Sequence, residues 1–251
     1  MGNTAITACV LIIGNEILSG RTADSNLNYI ALTLGGWGIQ VREARVIPDV
    51  VDDIVSAVNA ARGRYHYVFT TGGIGPTHDD ITVDCVAKAF DVPIVEHPDI
   101  AARIKTRPAP PEVMAARLRM ARVPEGATLV ENQTGGPQGF RMDNVFVMAG
   151  IPMVMQAMLS SLEGQLDTGP VVRSRTVTAY LGESQLAGAL ADIQNRFPEI
   201  DLGSYPFFRK ERYGTSLVMR GVDEGRLDAM LAEVEQAITA AGGTPEDLQR
   251  Q

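Results

Sequence analysis

An apolar run, Tyr67-Val68-Phe69, leads into Thr70-Thr71-Gly72-Gly73-Ile74-Gly75-Pro76-Thr77-His78-Asp79-Asp80-Ile81-Thr82. These residue types in this order suit phosphate chemistry. Gly72, Gly73 and Gly75 let the backbone turn tightly and bring N–H groups to a ligand with no Cβ in the way. A helix beginning just beyond adds unpaired N–H donors and the positive end of a dipole, where phosphate binds well. Thr77 adds a hydroxyl, and Asp79 and Asp80 add carboxylates of the kind that hold Mg²⁺ against a substrate phosphate. A plain strand-to-helix turn capped by aspartate also fits the loop, but a cap needs one acid and two adjacent ones repel. The spacing is neither that of a Walker A loop, since no Lys-Ser/Thr follows, nor the G-x-G-x-x-G dinucleotide fingerprint.

Two other segments follow strands and so can line the same crevice, because ligands of open α/β sheets sit outside the carboxyl ends of the strands. The first is Gly14-Asn15-Glu16-Ile17-Leu18-Ser19-Gly20, continuing to Thr22, Asp24, Asn26 and Asn28. Glu16 reads either as a crevice carboxylate or as a solvated loop charge. The second is Glu131-Asn132-Gln133-Thr134-Gly135-Gly136-Pro137-Gln138-Gly139, which offers amides and glycine or serves as a simple hairpin connection. Of the histidines, only His78 sits in the candidate site. His66 reads as a packed core residue and His97, before a proline, as exposed. No histidine or cysteine spacing suggests zinc or a Ser-His-Asp order.

The elements that must position these groups alternate strand and helix. A buried strand covers 6–13. Leu27, Ile30, Ala31 and Leu34 mark a helix capped by Asp24 and stopped at Gly35-Gly36. Ile39 to Val46 alternates apolar with charged residues, the pattern of a strand nearer the sheet edge. Asp49 caps a helix with Val51, Ile54, Val55 and Val58 on its face, 65–71 is the next strand, and Val83, Val86, Ala87 and Phe90 face the core after the glycine loop. Such alternation predicts parallel strands joined by right-handed crossovers. Two short helices split by Arg107-Pro108-Ala109-Pro110-Pro111 follow. Strands at 127–130 and 144–148 and a helix through Met153 and Leu159 close the unit near 164. Residues 164–170 read as a linker. Beyond it, 172–241 give a small βαββα domain with a tight turn near Lys210-Glu211-Arg212, and 242–251 read as a mobile tail. The fold class expected is α/β: a doubly wound, mostly parallel sheet in 1–165, followed by a smaller α+β domain.

Composition bounds the partners. The formal charge of −8 argues against a broad nucleic-acid or anionic-membrane surface, and 45% hydrophobic residues supply a real core. Cys9 and Cys85 read as reduced core thiols, Trp37 as a packing residue, and no signal-peptide layout opens the chain, so the cytoplasm is the expected address.

Gly14-Asn15-Glu16-Ile17-Leu18, Asp24-Ser25-Asn26, Gly72-Gly73-Ile74-Gly75-Pro76-Thr77-His78-Asp79-Asp80-Ile81-Thr82 and Gly150-Ile151-Pro152 together resemble the competence/damage-inducible protein A family. Its first domain has the molybdopterin-binding (MoaB/MogA-like) fold of molybdenum-cofactor biosynthesis proteins. The resemblance covers roughly residues 6–165, and 172–241 is similar to the small domain that follows in long members. The chain stops before the amidohydrolase domain of those members, so nicotinamide-nucleotide deamidation is not expected.

The resemblance implies a pyrophosphatase acting on ADP-ribose-like dinucleotides, assisted by a divalent metal and K⁺. Its alternative is molybdopterin or nucleotide binding without turnover. Asp80 matches the family's acidic position after the glycine loop; with the residues' own chemistry this gives catalytic roles to Asp80, Asp79 and Glu16, metal ligation to Asp80 and Asp24, and ligand contacts to Gly72, Gly73, Gly75, Thr77, Asp24, Asn26 and Asn132. A small nucleotide or pterin is then the partner, and fold relatives associate, so a homo-oligomer is expected. The βαββα segment has a KH-type likeness but no G-x-x-G loop, so nucleic acid is not. The chain departs from the family at Ala115-Ala116-Arg117-Leu118-Arg119, where an Asn and a Gln are usual, at Gly136-Pro137-Gln138, and at Asn15.

Overall fold

The computed structural model describes residues 5–209 and 211–247. The chain divides into two compact units, Met1–Gly169 and Pro170–Gln251. In the first, β1 (Ile6–Ile13) is an interior strand, and its last six residues are all buried because both faces of a parallel sheet are covered. After a single turn, α1 (Asn15–Leu18), the chain enters α2 (Asn26–Gly36) and returns as β2 (Ile39–Ile47). Then follow α3 (Val51–Arg62), β3 (Tyr67–Thr71), α4 (Thr82–Phe90), β4 (Ile94–Glu96), α5 (Pro98–Lys105), α6 (Pro111–Leu118) and β5 (Arg122–Pro124). The unit ends with β6 (Thr128–Val130), β7 (Gly139–Met142), β8 (Val145–Met148) and α7 (Pro152–Ser160).

The main sheet has the order β2-β1-β3-β8-β7-β6. The first four strands are parallel, and β7 runs antiparallel to both β8 and β6. Helices α2 and α7 contact each other, as do α3 and α4. The fold is therefore the expected α/β class: a mostly parallel sheet with helices. Because β7 reverses direction once and β6 reverses it again, the carboxyl end of β6 faces the same way as those of β1, β3 and β8. Phe69 and Phe146 stack at 5.1 Å between centroids in the core beneath that edge, with Tyr67 edge-on to Phe146.

The second unit contains β9 (Arg173–Ala179), α8 (Glu183–Arg196), β10 (Asp201–Arg209), β11 (Arg212–Gly221) and α9 (Glu224–Ala240). Its sheet order is β10-β11-β9-β12, with β12 (Glu246–Asp247) added at the edge. Leu186, Leu190 and Ile193 of α8 join Leu227, Met230, Val234 and Ile238 of α9 over this sheet, with a core of their own.

Several local expectations change. The stretch from 242 is not all free tail: Glu246 and Asp247 pair with β9, and the Thr178 hydroxyl donates to Glu246 O at 3.1 Å; residues 248–251 lie outside the described ones, as does Lys210 of the expected tight turn. Helix α2 runs through Gly35 and Gly36, and the reversal is made by Gly38 at φ 80°. Asp49 does not cap α3; its carboxylate accepts from Asn15 N at 2.8 Å instead. His66 is exposed and not in the core, because it precedes β3 and its Nδ1 lies 3.0 Å from the Thr7 hydroxyl. His97 is half-buried, not exposed, since its backbone N–H joins the β4–β5 pairing by donating to Ala121 O. The short strands β4, β5 and β7 were not anticipated; three or four residues carry too little periodicity to register.

Cys9 and Cys85 are fully buried and free. Burial raises both thiols to about 11, which keeps them neutral at pH 7. Native protein at neutral pH should therefore react with iodoacetamide at least ~10²-fold more slowly than an exposed thiol with a pKa near 8.5, and at full rate in denaturant. Rapid labelling of either cysteine in the native state, read by peptide mass spectrometry, would contradict this packing.

Candidate anion-binding corner

Three strand ends meet at Gly72. Its N–H donates to Met148 O at the end of β8 (3.2 Å), and a Cβ placed on it would lie 2.1 Å from Ile13 O at the end of β1. Its φ of 104° is open to glycine and strained for any other residue. Gly150 packs on the third side, where an added Cβ would come within 3.3 Å of Gly72 Cα. Only a glycine with no side chain allows these three segments to converge.

Thr82, the first residue of α4, then fixes the direction of the loop. Its hydroxyl donates to Gly72 O at 2.9 Å and its N–H to Gly73 O at 3.0 Å. With both carbonyls held by the helix start, the following N–H groups point elsewhere. Those of Gly73, Ile74 and Gly75 donate to no acceptor among the described residues. Successive unpaired N–H groups in a turn form a concavity for an anion. One sequence expectation changes: Gly72 contributes shape and not a donor, since its N–H is spent on β8.

The two aspartates part company. Helix α4 opens at Thr82 and not at the acids, so neither caps it. Asp80 folds back instead: its Oδ2 accepts from Thr77 N at 2.8 Å and from the Thr77 hydroxyl at 2.5 Å. Its carboxylate lies against Gly75, where a Cβ would meet Oδ2 at 2.6 Å. Thr77 is therefore a positioning residue for Asp80, with hydroxyl and N–H both occupied. Asp79 is exposed.

Across the corner, Glu16 is half-buried in α1, and its carboxylate curls over Gly14, where a Cβ would lie 2.5 Å from each oxygen. Asp24 caps α2 as expected, its Oδ2 accepting from Leu27 N at 2.9 Å. Asn26 is 5% exposed and donates through Nδ2 to Gly150 O at 2.8 Å, which ties α2 to the end of β8. Its Oδ1 is buried without a partner. A buried acceptor left open calls for an explanation, and a ligand hydroxyl or a hard cation supplies one. Asn28 is exposed and takes no part.

Asn132 is brought elsewhere. It is buried, its N–H donates to Gln138 Oε1, its Nδ2 donates to Pro137 O, and its Oδ1 accepts from the N–H and hydroxyl of Thr134. Every polar group of Asn132 is used to hold the 132–138 loop, so it shapes the loop and does not face a ligand. Sequence reasoning missed Gln138 as the second clamp and Thr82 as the anchor of the glycine turn. The signal for Thr82 was its place at the end of the motif, three residues after the paired acids' start.

No three His, Cys, Asp or Glu side chains among the described residues converge as a ready metal cage. Asp80 and Asp24 each use Oδ2 in a main-chain contact, and neither Oδ1 has a hydrogen-bond donor among the described residues. Among the described residues, no helix is long and apolar enough to cross a membrane.

A clean test of the corner is Gly72→Ala against Gly35→Ala. The first should cost more than ~3 kcal/mol in urea unfolding or abolish soluble expression, through both φ and the Ile13 contact. At Gly35 nothing lies near an added Cβ, so the change should be neutral or stabilise by up to ~1 kcal/mol. Equal effects at the two positions would refute the pinch.

Both units resemble known protein families. Residues 9–167 match the probable molybdopterin binding domain, and residues 171–246 match the FAD synthase middle domain. A protein of Aeropyrum pernix is 30% identical over 94% of this chain and 95% of its own length. A CinA-like protein of Desulfosudis oleivorans is 34% identical over 76% of this chain, which spans 52% of that relative. A crystal structure of the CinA protein, of unknown function, from Thermoplasma acidophilum covers 63% of this chain and 98% of its own, at 34% identity and a TM-score of 0.58. The chain belongs to the competence/damage-inducible protein A (CinA) family, with a first unit that matches the probable molybdopterin binding domain.

Proposed function

We propose that the chain is a metal-dependent nucleotide pyrophosphatase acting on ADP-ribose-like dinucleotides. The observation that supports it best is the run of unpaired N–H groups at Gly73, Ile74 and Gly75, set beside a carboxylate that Thr77 holds in place. In this reading those N–H groups bind oxygens of the pyrophosphate and stabilise charge as it builds on the leaving phosphate. Asn26 Oδ1 accepts from a ribose hydroxyl. Asp80 and Asp24 hold the divalent ion, with K⁺ as a further cation and the exposed Asp79 nearby. When bound, the ion supplies charge neutralisation and a more acidic water.

Glu16, curled over Gly14, takes the proton of the attacking water as its oxygen bonds to phosphorus. The bridging P–O bond then breaks and the electron pair leaves with the departing phosphate. ADP-ribose would give AMP and ribose 5-phosphate, with the water's second proton lost to solvent.

A binding role without turnover, toward molybdopterin or a nucleotide, is the second reading. It is favoured by the match of residues 9–167 to the probable molybdopterin binding domain. The fold of the first unit makes a small-molecule ligand common to both.

Pure protein with ADP-ribose and Mg²⁺ should release AMP, and Asp80→Asn should lower kcat by ~10²-fold or more while leaving the melting curve in place. Asn26→Ala should raise KM more than it lowers kcat. Wild-type activity in Asp80→Asn would remove the mechanism. Tight molybdopterin binding with no metal-stimulated AMP release would establish the second reading instead.

A further inference from the structure

A cavity of about 440 Å³ lies in the first unit between α5, α6 and the loop after β6. Its charged lining consists of Arg103, Arg107 and Arg117, with no carboxylate; its apolar lining includes Ile100, Ile104 and Met120, and residues 135–138 close it. None of the three arginines forms an ion pair among the described residues, whereas Arg45, Arg64, Arg122, Arg173, Arg175, Arg196 and Arg226 do. A net charge of −8 makes such a concentration of unpaired guanidinium groups a local construction. Three like charges around one space repel, and the arrangement is eased by an anion among them.

The cavity is also held in shape. Arg117 Nη1 donates to Arg107 O at 3.2 Å, which joins the two helices across the proline break. Arg107 lies over the opposite loop, where a Cβ on Gly135 would sit 3.7 Å from Nη2. That loop is locked from inside by Asn132 and Gln138, and Gly136 N–H is left without an acceptor among the described residues. Guanidinium forks and a free main-chain N–H recognise phosphate oxygens, and the isoleucines and Met120 offer an apolar wall for the body that carries them.

Placement on the sheet adds a length. The loop after β6 and the glycine corner after β3 open on the same edge, three strand spacings apart, which is about 14 Å. That span suits the two ends of one dinucleotide-sized molecule.

We propose that this arginine cavity is a second anchor, binding a phosphomonoester dianion carried on an apolar body. It does not require turnover at the glycine corner, and it rests on the reading above only in letting one ligand reach both.

The test uses the full chain with AMP as probe and adenosine as its uncharged counterpart. Calorimetry should show AMP binding at least tenfold tighter than adenosine, and R107Q/R117Q should weaken AMP by roughly tenfold or more with an unchanged melting curve. In the wild type, AMP but not adenosine should protect Arg107 and Arg117 from phenylglyoxal, read by peptide mass spectrometry. This second readout holds if the double variant fails to fold. AMP binding that leaves those arginines unprotected, equal affinity for adenosine, or no AMP binding would each overturn the proposal. Loss of ADP-ribose hydrolysis with protection intact would count against the pyrophosphatase reading alone.

Discussion

The approach of β1, β3 and β8 at Gly72 is the constraint on which the first unit depends. Parallel strands are held about 4.8 Å apart by their hydrogen bonds, and side chains normally fill the space above their ends. Here a main-chain carbonyl of β1 occupies the volume a Cβ would take, and Gly150 closes the other side. The convergence exposes main chain where an ordinary α/β corner would present side chains. Thr82 holds the turn, because it consumes two carbonyls, and the next N–H groups are left without an acceptor among the described residues. Shape and donors follow from one steric fact and Thr82, while a second threonine, Thr77, sets the acid at position 80.

Much of this was legible in the residues. Long elements with clear periodicity declared themselves: β1 as an unbroken apolar run, α3 by Ile54 and Val58, and α9 by Leu227, Met230, Val234 and Ile238. The position of β2 near the sheet edge was visible in its charges, and it is one of the two edge strands. What stayed hidden was pairing. A glycine in a sequence does not say whether its N–H is free, so Gly72 and Gly73 looked alike, yet one is a spacer and the other an open donor. Asp49 illustrates the same limit: it stands where a cap belongs, but a neighbouring loop offers Asn15 N, and that contact wins.

Asn132 and Asn26 show how burial separates roles that composition leaves equal. Asn132 lies in the loop after β6 and Asn26 opens α2, and both are buried. Asn132 satisfies all its groups inside its own loop, so it is architecture. Asn26 spends its donor on Gly150 O and keeps an acceptor in reserve. Sequence could nominate the pair; only three-dimensional bookkeeping of hydrogen bonds could tell them apart.

The β6–β7 hairpin has a further consequence. One end of the crevice is frozen by sterics, since almost any side chain at Gly72 would collide with the β1 carbonyl. The opposite end is a turn between antiparallel strands, which can gain, lose or exchange residues without disturbing the parallel centre. Within such a scaffold, the backbone at Gly72 tolerates almost no change, whereas the tip of the hairpin can vary in length and sequence. Differences in diet among relatives of this fold are accordingly to be sought between Glu131 and Gln138.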